Sequence, residues 1–230
     1  GQAAAVNQAF LADMNDPMVV PELSAFNVEL NTEPRHYGDG MFDRMHTELE
    51  GLWQRCEKTA QLHGAHMLMI GILPTIRQSA LCLGNISSMQ RYQALNEQVL
   101  HMRNGEPLRI DIRGRQHLFL SHEDVMLEAA TTSLQLHLKV SASEAARAYN
   151  LSKMISAPMV ALSANSPYLF GRDLWDETRI PLFEQSVAVG ASDYSKRVTF
   201  GIRFVEHSVI ECFEANRDRY PVLLPQLMEE

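Results

Sequence analysis

Apolar residues recur along this chain at the two spacings that distinguish helices from strands. Spacings of three and four residues, which place apolar side chains on one side of a helix, run from Met41 to about His63, with Gly64 as a natural end. Ser141 and Glu144 form the pattern of a capping box, which opens another helix. Together these signals predict a short helix and a loop within residues 1–25, and longer helices at about 41–63, 87–103, 141–157 and 207–219.

Alternating and continuous apolar runs predict the strands. Residues 108–112 alternate between aliphatic and charged side chains, and 113–115 mark the turn of a β-hairpin that returns through 117–120. Residues 65–73 are nearly all apolar, which is typical of a central strand covered on both faces. Further strands are predicted at 26–35, 133–140 and 198–204, whereas 171–195 read as irregular.

Two of these strands carry one apolar and one polar face, because side chains alternate along a strand. In the first strand the apolar face holds Val28 and Leu30, and in the second it holds three leucines and Val140. Strands of this kind between long helices predict an α+β fold, a single domain over residues 1–230, whose polar faces line one open side of a sheet. The polar faces consist of Asn27, Glu29, Asn31 and Glu33, and of Ser133, Gln135, His137 and Lys139.

Composition narrows the class of protein. The 230 residues are 46% hydrophobic and carry a formal net charge of −8, which allows a substantial core and disfavours non-specific nucleic-acid binding. The three cysteines are widely spaced and form no CxxC pair, which favours reduced thiols in a cytoplasmic protein. There is no signal peptide and no apolar run near the roughly 20 residues of a membrane helix, so we expect no membrane partner.

The candidate chemistry is that of acidic, imidazole and basic groups. The sequence contains no Gly-rich P-loop, dinucleotide fingerprint, GxSxG elbow or HExxH motif. Metal-assisted phosphoryl chemistry needs oxygen ligands for a cation and basic groups for the anion. Glu29, Glu33 and His137 are candidate metal ligands, and the imidazole slightly favours manganese or a mixed site. The candidate anion-binding residues are Arg91, Arg179 and Arg203.

Each candidate also has a simpler interpretation. The two carboxylates are equally typical of a solvated edge strand, and a single histidine on a polar strand face is more often hydrogen-bonded or solvated. Arg179 is as readily explained by a surface ion pair with Asp176 or Glu177, and Arg91 by the solvated face of a helix. Asn165 fits an ordinary turn. The residues alone leave both interpretations open.

Several segments resemble the glutamate–cysteine ligase family, in its bacterial carboxylate–amine ligase branch. Glu22-Leu23 followed by Val28–Pro34 resembles the family's acidic strand. Gly71-Ile72-Leu73-Pro74 with Arg91-Tyr92 resembles its Gly-Thr-His-Pro and Arg-Tyr segments, although Ile72 and Leu73 replace Thr-His.

Two later segments extend the resemblance. Ser133–Leu138 resembles the strand that bears the family's His-x-His, with Gln135 in place of the first His. The most specific match is Ala161–Pro167, with Gly171 and Arg179 after it, which resembles the Leu-x-Ala-Asn-Ser-Pro block.

The resemblance implies a glutamine-synthetase-like catalytic fold, with an antiparallel sheet that forms an open funnel and helices packed on its other face. It implies that ATP phosphorylates the γ-carboxylate of glutamate and that an amine such as that of cysteine attacks the acyl phosphate, as in glutathione biosynthesis. By position, Glu29 and His137 would bind Mg²⁺ (or Mn²⁺), with Glu22 and Glu33 as weaker candidates. The residues expected to contact ATP or substrate are Asn31, Arg91, Asn165, Arg179 and Arg203.

Two departures leave alternatives open. The family's initial Gly-x-Glu-x-Glu strand is not found here, and family members continue past this chain's end, so the chain resembles the central part of a longer enzyme and we expect it to be weakly active or inactive alone. The replaced Thr-His and first His leave the amine and acid substrates open. A non-catalytic relative that acts by binding, and a homo-oligomer, are also compatible with the sequence.

Overall fold

Helices and short antiparallel sheets alternate along the chain, which confirms the predicted α+β class. The computed structural model describes residues 1–189, 198–201, 203–220 and 222. Within these residues the β-strands form three two-stranded antiparallel sheets, β1–β2, β3–β4 and β5–β6. The elements are α1 (Asn7–Met14), β1 (Val19–Pro21), β2 (Val28–Leu30), α2 (Met41–Leu62), α3 (Gln90–Met102), β3 (Leu108–Arg113), β4 (His117–His122), α4 (Ala142–Ser163), β5 (Tyr168–Leu169), β6 (Arg172–Asp173), α5 (Arg179–Ser186) and α6 (Ile210–Arg219).

The apolar stripe of α2 closes the smaller of two hydrophobic clusters. Leu52, Cys56 and Ala60 follow one another at intervals of four, so they share one face of α2, and all three are buried together with Phe10 of α1 and Val19 of β1. The predicted strand at 26–35 is shorter than expected, since β2 pairs with β1 only over Val28–Leu30.

The predicted hairpin is confirmed and forms the centre of the larger cluster. Ile110 and Ile112 of β3 are buried, while the charged residues that alternate with them are exposed. The core 3-10 helix (Val125–Ala130) and Leu182 of α5 pack against the hairpin in the same cluster. Gly114 makes the turn because the backbone of Leu174 crosses it so closely that a Cβ there would lie 2.7 Å from the Leu174 Cα. The hairpin and core 3-10 helix thus fix the position of residues 128–132.

The predicted central strand at 65–73 is wrong. These residues are irregular, and Leu68 and Met69 are exposed. The Glu57 side chain of α2 accepts hydrogen bonds from the Met67 N–H at 2.7 Å and from His66 Nδ1 at the same distance. The Met67 N–H, which a neighbouring strand would have used as a hydrogen-bond donor, is therefore bonded to a side chain instead.

The predicted strand at 133–140 is also wrong. The segment is irregular and none of its residues belongs to a ladder in the described part of the chain. A strand needs a neighbour to satisfy its backbone, and the described residues place none beside it. The helix α4 that follows runs to Ser163, beyond the expected end at 157, and passes through Pro158. Pro158 has no N–H to donate to the carbonyl of the preceding turn, and no residue of α4 is buried.

The remaining predictions fall near the end of the described chain. The helix expected near 207–219 is confirmed as α6. The strand expected at 198–204 lies partly outside the described residues, and 198–201 and 203–204 contain no strand. The segment 171–195, read as irregular, also extends outside them, but β6 and α5 lie in its described part. No helix among the described residues has the length and apolarity to cross a membrane.

Candidate functional site

Three carboxylates from separate segments lie together beside β2. Glu22 follows the last residue of β1, Glu29 is the central residue of β2, and Glu128 belongs to the core 3-10 helix. The side chain of Asn27 donates from Nδ2 to the Ala129 carbonyl at 2.8 Å, which ties this helix to the start of β2. We call Glu22, Glu29 and Glu128 the acidic cluster.

The electrostatics of the acidic cluster reflect burial and mutual repulsion. Burial raises the pKa of Glu22, and the hydrogen bond and negative charge of Glu29 raise it further. The hydrogen bond from the Leu23 N–H and the positive charge of Arg91 lower this pKa, but they do not cancel the rise. Burial, with the charge of Glu22, raises the pKa of Glu128 to about 7. The Glu128 Oε2 atom is buried without a hydrogen-bond partner among the described residues. Adjacent carboxylates of this kind are stable when they share a proton or face a cation.

The donor chemistry of the acidic cluster fits a hard divalent cation. Carboxylate oxygens are the ligands that Mg²⁺ and Mn²⁺ prefer, and an unpartnered buried oxygen is available on Glu128. The side chains do not form a finished coordination shell, since no group of three or more His, Cys, Asp or Glu in the described chain has the geometry to hold a metal. Side-chain rotation about a cation would therefore be required to complete the shell.

Arg91 is the basic residue associated with the acidic cluster. It lies near the start of α3, where its guanidinium stacks on the Tyr92 ring at 5.0 Å from the centroid. The Tyr92 hydroxyl donates to the Pro21 carbonyl at 3.4 Å, which holds the start of α3 against the end of β1. The charge of Arg91 lowers the pKa of Glu22, so the predicted Arg-Tyr pair lies within electrostatic reach of the acidic cluster.

A second set of polar residues surrounds Arg179 at the start of α5. The Nε and Nη2 atoms of Arg179 donate to the two carboxylate oxygens of Glu177, each at 2.5 Å, and its Nη1 atom donates to the Thr132 carbonyl at 2.5 Å. The buried Ser166 hydroxyl also donates to Glu177. Burial opposes ionisation, but the hydrogen bonds from Arg179 and Ser166 lower the pKa of Glu177 below its ordinary value. The ion pair with Glu177, the simpler interpretation of Arg179, is therefore present.

Gly71 and Asn165 complete this arginine cluster, which comprises Gly71, Asn165, Ser166, Glu177 and Arg179. A Cβ on Gly71 would overlap the Asn165 side-chain oxygen and lie 2.9 Å from the Arg179 Nε. A side chain at residue 71 would therefore require the Asn165 and Arg179 side chains to shift. Three segments that carry the family resemblance, around residues 71, 165 and 179, therefore meet at one point.

Residues 128–132 join the acidic cluster to the arginine cluster. Glu128 begins this segment, and Thr132 ends it by donating its N–H to the Gly71 carbonyl at 2.9 Å while its own carbonyl binds Arg179. Four peptide units span at most about 14 Å, so the Cα atoms of Glu128 and Thr132 lie within that distance. An open depression of about 690 Å³, lined partly by Trp175 and Glu177, adjoins the arginine cluster, not the acidic one.

The other predicted site residues lie outside both clusters. Glu33 is exposed and its backbone N–H donates to Glu48, and Asn31 donates its N–H to the Met18 carbonyl beside the β1–β2 ladder. His137 is exposed and contacts Gln135 at 3.0 Å. Arg203 forms ion pairs near α6, with Glu206 at 3.3 Å and Glu211 at 3.4 Å. The predicted pairing of Glu29 with His137 on adjoining strands is therefore not formed.

Glu128 and Glu177 were not predicted as members of the site. Glu128 is a single carboxylate within the otherwise apolar run Val125–Ala130, and a charge in such a run is a signal of a buried ionisable group. Glu177 has no comparable signal, since it lies among polar residues, and only the fold buries it beneath Arg179.

The described residues thus gather carboxylates and a fixed arginine from separate segments of an α+β chain, which is a donor set that can bind a divalent cation and an anion. The family model of glutamate–cysteine ligase family 2 matches residues 2–192, and the chain belongs to this family. No curated protein and no solved structure matches the chain.

Proposed function

We propose that the protein is an ATP- and Mg²⁺-dependent ligase that joins the γ-carboxylate of glutamate to the amine of cysteine through an acyl phosphate. Membership of glutamate–cysteine ligase family 2, a carboxylate–amine ligase type, supports the reaction class. The observation that carries the assignment of the site is the acidic cluster, where Glu128 has a buried oxygen without a partner among the described residues, next to Glu22. We place the reaction in the cytoplasm, as part of glutathione biosynthesis.

The acidic cluster is the proposed metal-binding element. Glu29 and Glu22 would hold the cation from β2 and from the end of β1, and Glu128 would hold it from the core 3-10 helix. His137 and Glu33, implied by the family resemblance, would join this set only if their segments approach it. A bound Mg²⁺ would neutralise the phosphate oxygens and so reduce their repulsion for the glutamate carboxylate.

The basic and amide groups are the proposed substrate-binding elements. Arg91 would place a positive charge next to the acidic cluster, where it would bind the phosphates of ATP. Arg179 has two N–H groups left after its bonds to Glu177 and Thr132, and with the Asn165 amide they would bind a phosphate or carboxylate oxygen. Asn31 and Arg203 stay more distant candidates, since the first borders β2 and the second is paired near α6.

The proposed reaction consists of two transfers. A γ-carboxylate oxygen of glutamate attacks the terminal phosphorus of ATP, ADP leaves, and the amine nitrogen of cysteine then displaces phosphate from the acyl carbon with loss of a proton. Residues that bind both anions hold them close enough to react and screen their charges, which is most of what a phosphoryl-transfer site supplies.

A second candidate is a ligase of the same type with a different amine or acid. Ile72, in place of a polar residue of the family pattern, is almost fully buried in the larger core cluster, so it offers no polar group to a substrate. The third candidate is a truncated or degenerate, non-catalytic relative that acts by binding, and the occupation of Arg179 by Glu177 favours it.

Calorimetric titration of ATP into the protein with and without Mg²⁺ tests the site. We expect Mg²⁺-dependent binding that is weakened at least about 10-fold by Glu29→Gln, because loss of even a residue that only supports a metal ligand typically costs about 10- to 100-fold in metal affinity. Glu50→Gln is the matched control, since it removes an exposed carboxylate on α2 and should leave binding unchanged. Equal effects of the two substitutions would overturn the assignment of the acidic cluster.

Product analysis separates the three candidates. Formation of ADP and γ-glutamylcysteine that requires both glutamate and cysteine supports the first. ADP formation with another amine or acid supports the second, and the absence of Mg²⁺-dependent ATP binding in a protein with unchanged circular dichroism supports the third. That same absence of ATP binding would contradict both enzyme candidates.

A further inference from the structure

A thiol, an imidazole and two carboxylates line one open cavity of about 460 Å³ at the end of β4. The thiol is that of Cys82, which is exposed and forms no disulfide, and the imidazole is that of His122. The carboxylates belong to Glu123 and Asp124, and none of the lining residues is part of the acidic or arginine cluster. A cavity of this volume is roughly 10 Å across, so one small molecule inside it can contact both the sulfur and the ring.

His122 is bound to a buried carboxylate. Its Nε2 atom lies 2.8 Å from Asp124 Oδ1, and the two side chains are only 8% and 11% exposed. The same oxygen accepts the Met126 N–H at 2.9 Å, at the start of the core 3-10 helix. Burial opposes ionisation, but the hydrogen bonds from His122 and Met126 lower the pKa of Asp124 below its ordinary value. Asp124 is therefore ionised at neutral pH and can only accept, so the Nε2 atom of His122 carries a proton.

The other ring nitrogen of His122 is left as a base. In a neutral imidazole one nitrogen donates and the other accepts, so a proton on Nε2 leaves the lone pair on Nδ1. Among the described residues no hydrogen bond uses Nδ1, and Nδ1 is not one of their buried polar atoms without a partner. It therefore contacts solvent, and the open space that His122 lines is the cavity. The charge of Asp124 stabilises the imidazolium that forms when Nδ1 takes up a proton.

The backbone around Cys82 is fixed next to this pair. The preceding residue, Leu81, is buried in the larger core cluster. The Cys82 carbonyl accepts the Asn85 N–H at 2.8 Å, which fixes the turn that follows. The N–H of Leu83 is close enough to Asp124 to contribute to the lowered pKa of that carboxylate. A rigid loop therefore presents the thiol on the cavity wall beside the His122–Asp124 pair.

We propose that Cys82 is a site of reversible S-thiolation, at which His122 is the base and a neutral or cationic low-molecular-weight disulfide is the reagent. This inference does not depend on the proposed catalytic activity. The Nδ1 atom of His122 takes the thiol proton, the Cys82 sulfur attacks one sulfur of the disulfide RSSR, and the S–S bond breaks. The leaving sulfur takes the proton from the imidazolium. The thiol and RSSR thus give one mixed disulfide on Cys82 and one free thiol RSH.

Exposure and charge define the reacting thiol and its reagent. Burial raises the pKa of the Cys56 thiol, and a buried cysteine of this kind is inert, whereas Cys82 is open to a small molecule. Glu123 and Asp124 place negative charge on the cavity wall, and no Lys or Arg among the described residues lines it. An anionic disulfide is repelled by these charges, so a neutral or cationic one is favoured.

Mass spectrometry of tryptic peptides tests the site, since cleavage after Lys and Arg places the three cysteines in separate peptides. The probe is the neutral hydroxyethyl disulfide, and the rate of mixed-disulfide formation at Cys82 is compared between the native protein and the urea-unfolded chain. An ordinary thiol, with a pKa of about 8.5, is only a few per cent thiolate at pH 7, and a positioned base typically contributes about 10²–10⁴-fold. We expect the native rate to exceed the unfolded rate at least about 10-fold at pH 7. The ratio should fall towards one above pH 9, where hydroxide removes the proton without help, and dithiothreitol should restore the free thiol.

Substitution of His122 tests the base. His122→Gln should lower the native rate at Cys82 about 10-fold at pH 7, because glutamine accepts no proton. His117→Gln is the matched control, since His117 also lies on β4 and its Nε2 atom also contacts an aspartate, Asp111, at 2.8 Å, but it does not line the cavity. Circular dichroism establishes that both variants are folded. If His122→Gln does not fold, the comparison of native and unfolded wild type and its pH dependence decide the matter.

Three results would overturn the proposal. They are a native Cys82 that reacts no faster than the unfolded chain at pH 7, a folded His122→Gln variant that reacts as fast as the wild type, and equal losses of rate in the two histidine variants. The charge of the reagent is tested with cystamine, which is cationic, and dithiodiglycolate, which is anionic. Cystamine should react faster at native Cys82, relative to the unfolded chain, and Glu123→Gln should narrow the difference. Equal relative rates for the two disulfides would reject the assigned charge class.

Discussion

Replacing Glu128 by glutamine should change how the stability of the protein depends on pH. Glutamine keeps the shape of the side chain but carries no charge, so it resembles the protonated acid. Glu128 has a pKa of about 7 in the folded protein, against an ordinary value of 4.5, because it is buried and lies near Glu22. We therefore expect the substitution to remove the free-energy cost of burying a charged carboxylate, which the wild type incurs only when Glu128 is ionised.

The magnitude follows from the difference between the two pKa values. Between pH 4.5 and 7 the folded state retains a proton on Glu128 that the unfolded state has lost, so the free energy of unfolding falls as pH rises. At 1.36 kcal/mol per pKa unit the full loss is about 3 kcal/mol, of which about 2.5 kcal/mol develops between pH 5 and pH 8. The stabilising effect of the raised pKa is complete below pH 4.5 and is lost above pH 7.

Urea denaturation of the wild type and Glu128→Gln at pH 5 and pH 8 measures this effect. Titration of other groups affects both proteins equally, so it cancels when the two free energies of unfolding are subtracted. From pH 5 to pH 8 this difference should shift by about 2.5 kcal/mol in favour of the variant. Glu123→Gln, an exposed neighbour, should produce no such shift. Millimolar Mg²⁺ at pH 8 should stabilise the wild type more than Glu128→Gln.

The reasoning would be refuted if the difference between wild type and Glu128→Gln were the same at both pH values within about 0.5 kcal/mol. That result would mean that Glu128 ionises as an exposed carboxylate does. A pH-dependent difference without any effect of Mg²⁺ would instead support burial of the carboxylate and contradict its role as a metal ligand.

Further predictions concern the arginine cluster and the core, and urea denaturation measures each. Glu177→Gln should lower the free energy of unfolding by about 3–5 kcal/mol, because it leaves the half-buried Arg179 without its anionic partner; a loss below about 1 kcal/mol would indicate a solvent-screened pair. Gly71→Ala should destabilise by about 1–3 kcal/mol through overlap with Arg179 and its neighbour, and an unchanged midpoint would show that these side chains move aside. Leu127→Ala should cost about 2–5 kcal/mol since Leu127 is fully buried, whereas Leu62→Ala at an exposed site should cost less than about 0.5 kcal/mol, and similar losses would contradict the assigned core.

The local pattern of the sequence determined the helices and the hairpin. The apolar spacing in α2 extends over enough residues that only a helix places these side chains on one face. The alternation in β3 likewise extends far enough that only a strand does so. Gly64 predicted the end of α2 to within two residues of the observed boundary at Leu62, and Gly114 lies in the turn between β3 and β4. The segments that resemble the ligase family were equally local, and the match over residues 2–192 confirms the family.

Only the tertiary structure decided which of these residues meet. A continuous apolar run predicted a strand at 65–73, and alternation of apolar and polar residues predicted one at 133–140. A strand forms only where another supplies hydrogen bonds, however, and none lies beside either segment in the described chain. The same fact separates His137 from Glu29. Conversely, packing of the core 3-10 helix brings Glu128 near Glu22, and the absence of a side chain at Gly71 leaves room for Arg179. Local spacing could not predict either contact, because proximity between distant segments depends on how the elements pack.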